Sequence, residues 1–239
     1  MTPPTRAMVL AAGLGLRMRP LTLHRPKPLI SVRGRTMLDR ALDHLGQAGV
    51  TRCVVNVHWL GGMIRDHLAG RPGILISDEG ERLLETGGGI AKALPLLGDG
   101  AFFALNADIV FEDGNRPALL RLADAWDDAR MDALLLMQPT AMAFGYDGPG
   151  DFHLDADGRA RRREPDETTP LLFSGVQILH PRLFDGAPEG AFSLNRLYDK
   201  AQAAGRLFGI VHDGGWYHIG TPEALGEAEA VMAARESSP

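Results

Sequence analysis

Cysteine occurs once in the 239 residues, as Cys53. No disulfide can close within the chain and no cysteine-based zinc site can form, which fits a reducing cytoplasm. Long apolar runs are also missing, since none approaches the roughly 18 residues that read as a membrane span. Charge of one sign is missing as well: Lys and Arg total 25 against 30 Asp and Glu, for a net charge of -5 with no charged block. A wholesale nucleic-acid or anionic-membrane binder is thereby disfavoured. The chain has no His-Glu-x-x-His spacing, no Gly-Lys pair of a P-loop, no nucleophilic triad and no internal repeat. What it has is glycine, 29 residues, with 16 prolines and no three-residue period. The glycines are therefore placed locally, and their positions carry the reading.

Short runs rich in β-formers fall at 7–11, 52–57, 73–77, 101–106, 131–137, 173–179 and 206–211. Between them Met37, Leu38, Ala41, Leu42, Leu45 and Ala48 recur at helical spacing, behind a Thr36/Asp39 capping pair. Further helices are expected at 60–69, 89–97, 116–128, 194–204 and 222–236. This alternation predicts an α/β chain: one Rossmann-like domain over 1–239, with a mostly parallel twisted sheet and helices on both faces. The run from Ala7 to Leu16 reads as a buried strand entering a glycine loop rather than a secretory signal, because Gly13 and Gly15 interrupt it and Arg17 and Arg19 follow at once. Residues 143–170 break the pattern with glycines, prolines and Arg159 to Arg163. They read as a hairpin-like insertion beside a substrate site, or as a solvated surface loop.

The loop after the first strand is the strongest local signal. Ala11, Ala12, Gly13 and Gly15 lead to Arg17, Arg19 and then Pro26-Lys27-Pro28. Glycines let a ligand approach backbone N–H groups, which suits a phosphate. A dinucleotide fingerprint fails because position 18 is Met18. What remains is a loop in which amides and Arg17 hold outer phosphates and Lys27 meets another, or else a basic surface loop with structural prolines.

In order along the chain stand Ala11-Ala12-Gly13-x-Gly15-x-Arg17-x-Arg19-Pro20-Leu21-Thr22, Pro26-Lys27-Pro28-Leu29 and Glu85-Thr86-Gly87-Gly88-Gly89. They are followed by Asn106-Ala107-Asp108, Phe173-Ser174-Gly175 and Trp216-x-x-x-Gly220-Thr221-Pro222. This series resembles the sugar-1-phosphate nucleotidyltransferases over nearly the whole chain. The resemblance implies transfer of a nucleotidyl group from a nucleoside triphosphate to a sugar-1-phosphate, with pyrophosphate released. UTP and N-acetylmuramate 1-phosphate are the favoured substrates, in cell-wall sugar recycling; mannose- or heptose-1-phosphate guanylyl transfer is the alternative. A non-catalytic nucleotide-binding module is the reading from another class.

It further implies Arg17, Lys27 and Asp108 as catalytic, and Ala11, Ala12, Gly13, Gly15, Glu85, Gly88 and Gly89 at the nucleotide. Asn106, Gly150, Glu164 and Gly175 fall at the sugar, with Gly88 and Gly89 offering bare amides at a helix start. Asp108 binds Mg²⁺ by the same resemblance. Two departures stand out. His218 occupies the place of a second metal carboxylate, which makes it a weak metal ligand or a neighbour of one and opens the site to Mn²⁺ or Co²⁺. Arg163-Glu164-Pro165 stands where Glu-Lys-Pro is usual, so Arg163 could serve the sugar phosphate. No hexapeptide repeat suggests an appended β-helix. A cytoplasmic monomer or small homo-oligomer, without nucleic-acid or membrane partners, is expected.

Overall fold

A computed structural model describes residues 3–236. The first strand, β1 (Arg6–Leu10), enters the glycine loop, which is shaped by 3₁₀ turns at Leu16–Met18, Leu21–Leu23 and Lys27–Leu29. A two-residue hairpin, β2 (Ser31–Val32) and β3 (Arg35–Thr36), precedes α1 (Met37–Gln47). Then come β4 (Arg52–Val57), α2 (Gly61–Leu68), β5 (Ile74–Asp78), α3 (Glu85–Leu97), β6 (Phe102–Asn106), β7 (Val110–Phe111) and α4 (Ala118–Ala125). The second half runs β8 (Ala133–Pro139), β9 (Ala143–Phe144), β10 (Phe152–Leu154), β11 (Ala160–Arg162), β12 (Leu171–Leu179), α5 (Asn195–Ala203), β13 (Leu207–Val211), β14 (Trp216–Tyr217) and α6 (Pro222–Glu236).

The main sheet is mixed. Strands β6, β1, β4 and β5 lie side by side in parallel, and β12 joins β6 in the opposite sense. β12 also pairs antiparallel with β8, to which β13 is parallel. Side chains alternate across β1 as the strand period requires: Ala7 and Val9 face the layer of α1, α2 and α4, and Met8 faces that of α3 and α5. The expected α/β sheet with helices on both faces is what forms. Thr36 caps α1 by accepting Asp39 N–H at 3.0 Å, as its spacing indicated. The section 143–170 contains a hairpin, β10 with β11, which is stitched to β12 through Phe152 and Leu171 and so extends the main sheet. Helix α3 begins four residues earlier than the apolar period alone placed it, at Glu85, because its first turn is built from the glycines themselves.

Register sets the site. Leu10 pairs with Asn56 on one side and Asn106 on the other, so three carboxyl-terminal strand positions form one row across the sheet. Open α/β sheets bind ligands beyond that edge.

Candidate active site

A cavity of about 530 Å³ opens at this edge, within the range of pockets that enclose a small-molecule ligand. It is lined by the strand ends Leu10, Asn56 and Asn106, by the glycine loop from Ala11 to Met18, by Lys27 and Pro28, by Leu83, Glu85 and Thr86, and by Asp108 and Gly220. Five chain segments far apart in sequence thus converge.

The glycine loop folds on itself. Gly15 takes a left-handed φ of +61°, where a side chain would press on Thr22 and Lys27. Thr22 Oγ1 donates to the Gly15 carbonyl at 2.8 Å, and Met18 N–H donates to it at 3.0 Å. Gly13 is different: nothing lies within 4 Å of where its Cβ would stand, so its bareness serves no contact inside the protein. Lys27, between two prolines, has a side chain only 10% exposed, and its Nζ donates to Asp108 Oδ2 at 2.8 Å. Asp108 follows β6, lines the cavity and has a side chain 41% exposed. Arg17 reaches across to His218, whose Nε2 lies 3.5 Å from the guanidinium.

That last contact revises the place of His218. A guanidinium has only donors, so in this contact Nε2 is the acceptor, which makes His218 a neighbour of Arg17 at the cavity. Burial, then the charges of Arg17 and Lys27, push the His218 pKa down, which keeps the ring neutral and able to accept. The imidazole stacks on Trp216 at 6.0 Å between centroids, and a Cβ at Gly220 would stand 2.9 Å from its Nε2. Among the described residues no cluster of three or more His, Cys, Asp or Glu side chains could enclose a metal. The donor set fits instead a hard cation that takes one carboxylate oxygen from Asp108 and the remainder from phosphates and water, as Mg²⁺ commonly does.

Other expected residues also find different places. The amides of Gly87 and Gly88 are not bare, since both donate to the Phe192 carbonyl, at 2.9 and 3.2 Å. A Cβ at Gly88 would stand 2.2 Å from the Gly190 carbonyl oxygen, and one at Gly89 2.7 Å from Glu79 Oε1. The glycine triplet lets α3 start in close contact with its neighbours, and it is Leu83, Glu85 and Thr86 before it that line the cavity. Gly150 has a left-handed φ of +76° and packs on the Thr169 and Leu171 carbonyls, away from the lining. Glu164 is exposed and engaged through its backbone with Arg163 and Glu167. Arg163 Nη1 donates to the carbonyls of Glu164, Pro165 and Glu167, which folds the side chain back on its own loop. Gly175 sits at the irregularity of β12, where a Cβ would lie 3.2 Å from Asn106 Nδ2. Ala11, Ala12, Gly13, Gly15, Arg17, Lys27, Glu85, Asn106 and Asp108 are brought together. Asn56 and Glu79 escaped the sequence reading. The signal for Asn56 was present, an amide inside the apolar run Cys53-Val54-Val55-Asn56-Val57, whereas nothing in sequence marks Glu79 as buried.

This architecture defines a class. Residues 7–216 match the MobA-like NTP transferase domain, and the chain belongs to that nucleotidyltransferase family. It is 44% identical to N-acetylmuramate alpha-1-phosphate uridylyltransferase of Caulobacter vibrioides, over 96% of this chain and 98% of that one. To the protein of the same name from Neisseria meningitidis serogroup B it is 37% identical, over 96% and 99%. UDP-glucose pyrophosphorylase complexed with UDP-glucose shares the fold, with a TM-score of 0.79 at 15% identity over 98% of this chain and all (100%) of that one.

Proposed function

We propose that this chain transfers the uridylyl group of UTP to N-acetylmuramate 1-phosphate, releasing pyrophosphate, in the cytoplasmic recycling of cell-wall sugar. The observation that carries the chemistry is the Lys27–Asp108 contact at 2.8 Å, set in a cavity that Arg17 and the glycine loop also line. The substrate pair is supported by similarity to the Caulobacter relative along nearly its whole length.

A sugar-1-phosphate oxygen is anionic near neutral pH, so it can attack the α-phosphorus without a general base. Alignment and charge neutralisation are the remaining tasks. Amides of the glycine loop and Arg17 hold the phosphates that leave. Lys27, buried and fixed by its prolines, holds the phosphate under attack as a point charge. Asp108 would hold the divalent cation, and Mg²⁺ when bound supplies further neutralisation of phosphate oxygens. Asn106, on the cavity lining beside Gly175, is the residue assigned to the sugar in this proposal. His218 keeps Arg17 aimed.

The test is a matrix of five nucleoside triphosphates against N-acetylmuramate-, mannose-, glucose- and heptose-1-phosphate, scored by pyrophosphate release. UTP with N-acetylmuramate 1-phosphate is expected to lead. A maximum at GTP with mannose- or heptose-1-phosphate would reassign the substrates, and nucleotide binding without release under any pairing would leave a non-catalytic module.

A further inference from the structure

Asn56 and Glu79 are 2% and 5% exposed, side by side beneath the cavity. Asn56 Oδ1 accepts the Ala11 N–H at 2.7 Å, while Asn56 Nδ2 donates to Glu79 Oε1 at 2.6 Å. The second carboxylate oxygen, Glu79 Oε2, accepts the Leu84 N–H at 2.7 Å. Three hydrogen bonds therefore run in one line from the first residue of the glycine loop to the residue before Glu85. Every hydrogen-bonding atom in this line has a specific polarity. Both ends are backbone donors, the carboxylate only accepts, and the amide does one of each.

The surroundings are shaped around this line. A Cβ at Gly89 would come within 2.7 Å of Glu79 Oε1 and 2.9 Å of Asn56 Nδ2, so glycine there leaves room for the pair under α3. Glu85, next to the tethered Leu84, holds a left-handed φ of +58° although it is not glycine, a conformation that persists only where its surroundings impose it. Around Asn56 the lining includes Leu10, Ala11, Ala12, Leu83 and Thr86, with Glu85 the one charged side chain among them. This part holds no cation and is mostly apolar, which suits a nucleobase rather than a phosphate. Ala11 lines this part, and Leu84 lies between the lining residues Leu83 and Glu85; its carbonyl accepts the Phe192 N–H at 3.2 Å, and its own N–H is held by Glu79.

We infer that Asn56 and Glu79 are positioning residues that hold the two walls of the base slot at a fixed separation. The inference rests on the nucleotidyl-transfer reading above. Neither side chain need touch the reacting atoms, and both act through the backbone of Ala11 and Leu84. Such a device governs nucleotide affinity and base choice more than the transfer step.

Polarity gives the test. E79Q leaves a single oxygen where two acceptors are needed, so one bond is lost whichever way the amide turns. N56D keeps the bond from Ala11 but sets an oxygen against Glu79 Oε1. In the N56D/E79Q double variant the polarity reverses and every bond returns: the new carboxylate accepts from Ala11 and from the new amide, whose oxygen accepts from Leu84. Each single variant is expected to raise KM for UTP about tenfold and to narrow the preference for UTP over the other triphosphates. KM for the sugar-1-phosphate and kcat should stay within about twofold, and the double variant should recover the wild-type KM for UTP within about threefold. Where a single variant does not fold, G89A carries the same test, because it crowds the pair without removing a partner.

Unchanged KM for UTP in the single variants, or a double variant no better than the worse single, would overturn the inference while leaving the proposed reaction intact. A wild-type protein that releases no pyrophosphate overturns both.

Discussion

Lys27 and Asp108 answer each other's charge within the pocket, and the proposed reaction assigns the first to phosphate and the second to metal. Lys27→Ala and Asp108→Asn are each expected to lower kcat by at least about 10²-fold, the scale of losing one preorganised charge partner at a phosphoryl centre, with thermal unfolding close to wild type. Steady-state rates read beside a melting curve check this. His218 gives a finer test. Its contact with Arg17 is neutral, so His218→Asp would pair the guanidinium with a carboxylate and spend the charge meant for the leaving phosphates. The expected result is a fall in kcat with little change in KM for the sugar-1-phosphate; activity at or above wild type would show that a carboxylate serves there as well as the imidazole does.

At the scale of elements, two glycines that look alike in sequence separate in structure. Gly13 borders open space in the glycine loop, whereas Gly88 presses on the Gly190 carbonyl inside the first turn of α3. Gly13→Ala is expected to leave the melting temperature unchanged and to raise KM for the nucleotide. Gly88→Ala should destabilise by about 1–3 kcal/mol, the ordinary cost of overpacking, and so lower the melting temperature by roughly 2–10 °C. Glycine count in a motif could not distinguish these cases, because the distinction depends on Phe192 and Gly190, about a hundred residues away along the chain. The same limit applies to Asn56 and Glu79, which meet only once β4 and β5 have paired. By contrast the strands, the α1 cap and the convergence of the glycine loop with Asp108 were legible, since alternating periods and local turn chemistry act within one element. Glu164 and Gly150 were placed by motif order alone; they flank the β10–β11 hairpin and are not among the residues that line the cavity.

Across the whole molecule, α1 and α2 are joined by Asp39, which receives His67 at 3.0 Å and Arg71 at 2.7 Å. Burial alone would raise its pKa, but hydrogen bonds with Thr36, His67 and Arg71 outweigh it and bring the value down to about 2 from an ordinary 3.8. A carboxyl whose pKa is depressed by folding adds stability above its unfolded value and loses it as pH falls toward the folded one. The wild type should therefore exceed Asp39→Asn by about 2 kcal/mol at neutral pH, with the gap closing between about pH 4 and pH 2. Denaturant unfolding at several pH values measures that gap. This tether lies apart from the cavity lining, so the variant should keep its turnover wherever it remains folded.

Attack at the α-phosphorus within this cavity is read out by label transfer. With UTP labelled at the α-phosphate, N-acetylmuramate 1-phosphate and Mg²⁺, the wild type is expected to carry the label into a nucleotide-sugar while unlabelled pyrophosphate appears in equal amount. Lys27→Ala should do neither. Label that remains in UTP, or that emerges as free UMP without a nucleotide-sugar, would rule out uridylyl transfer to the sugar phosphate.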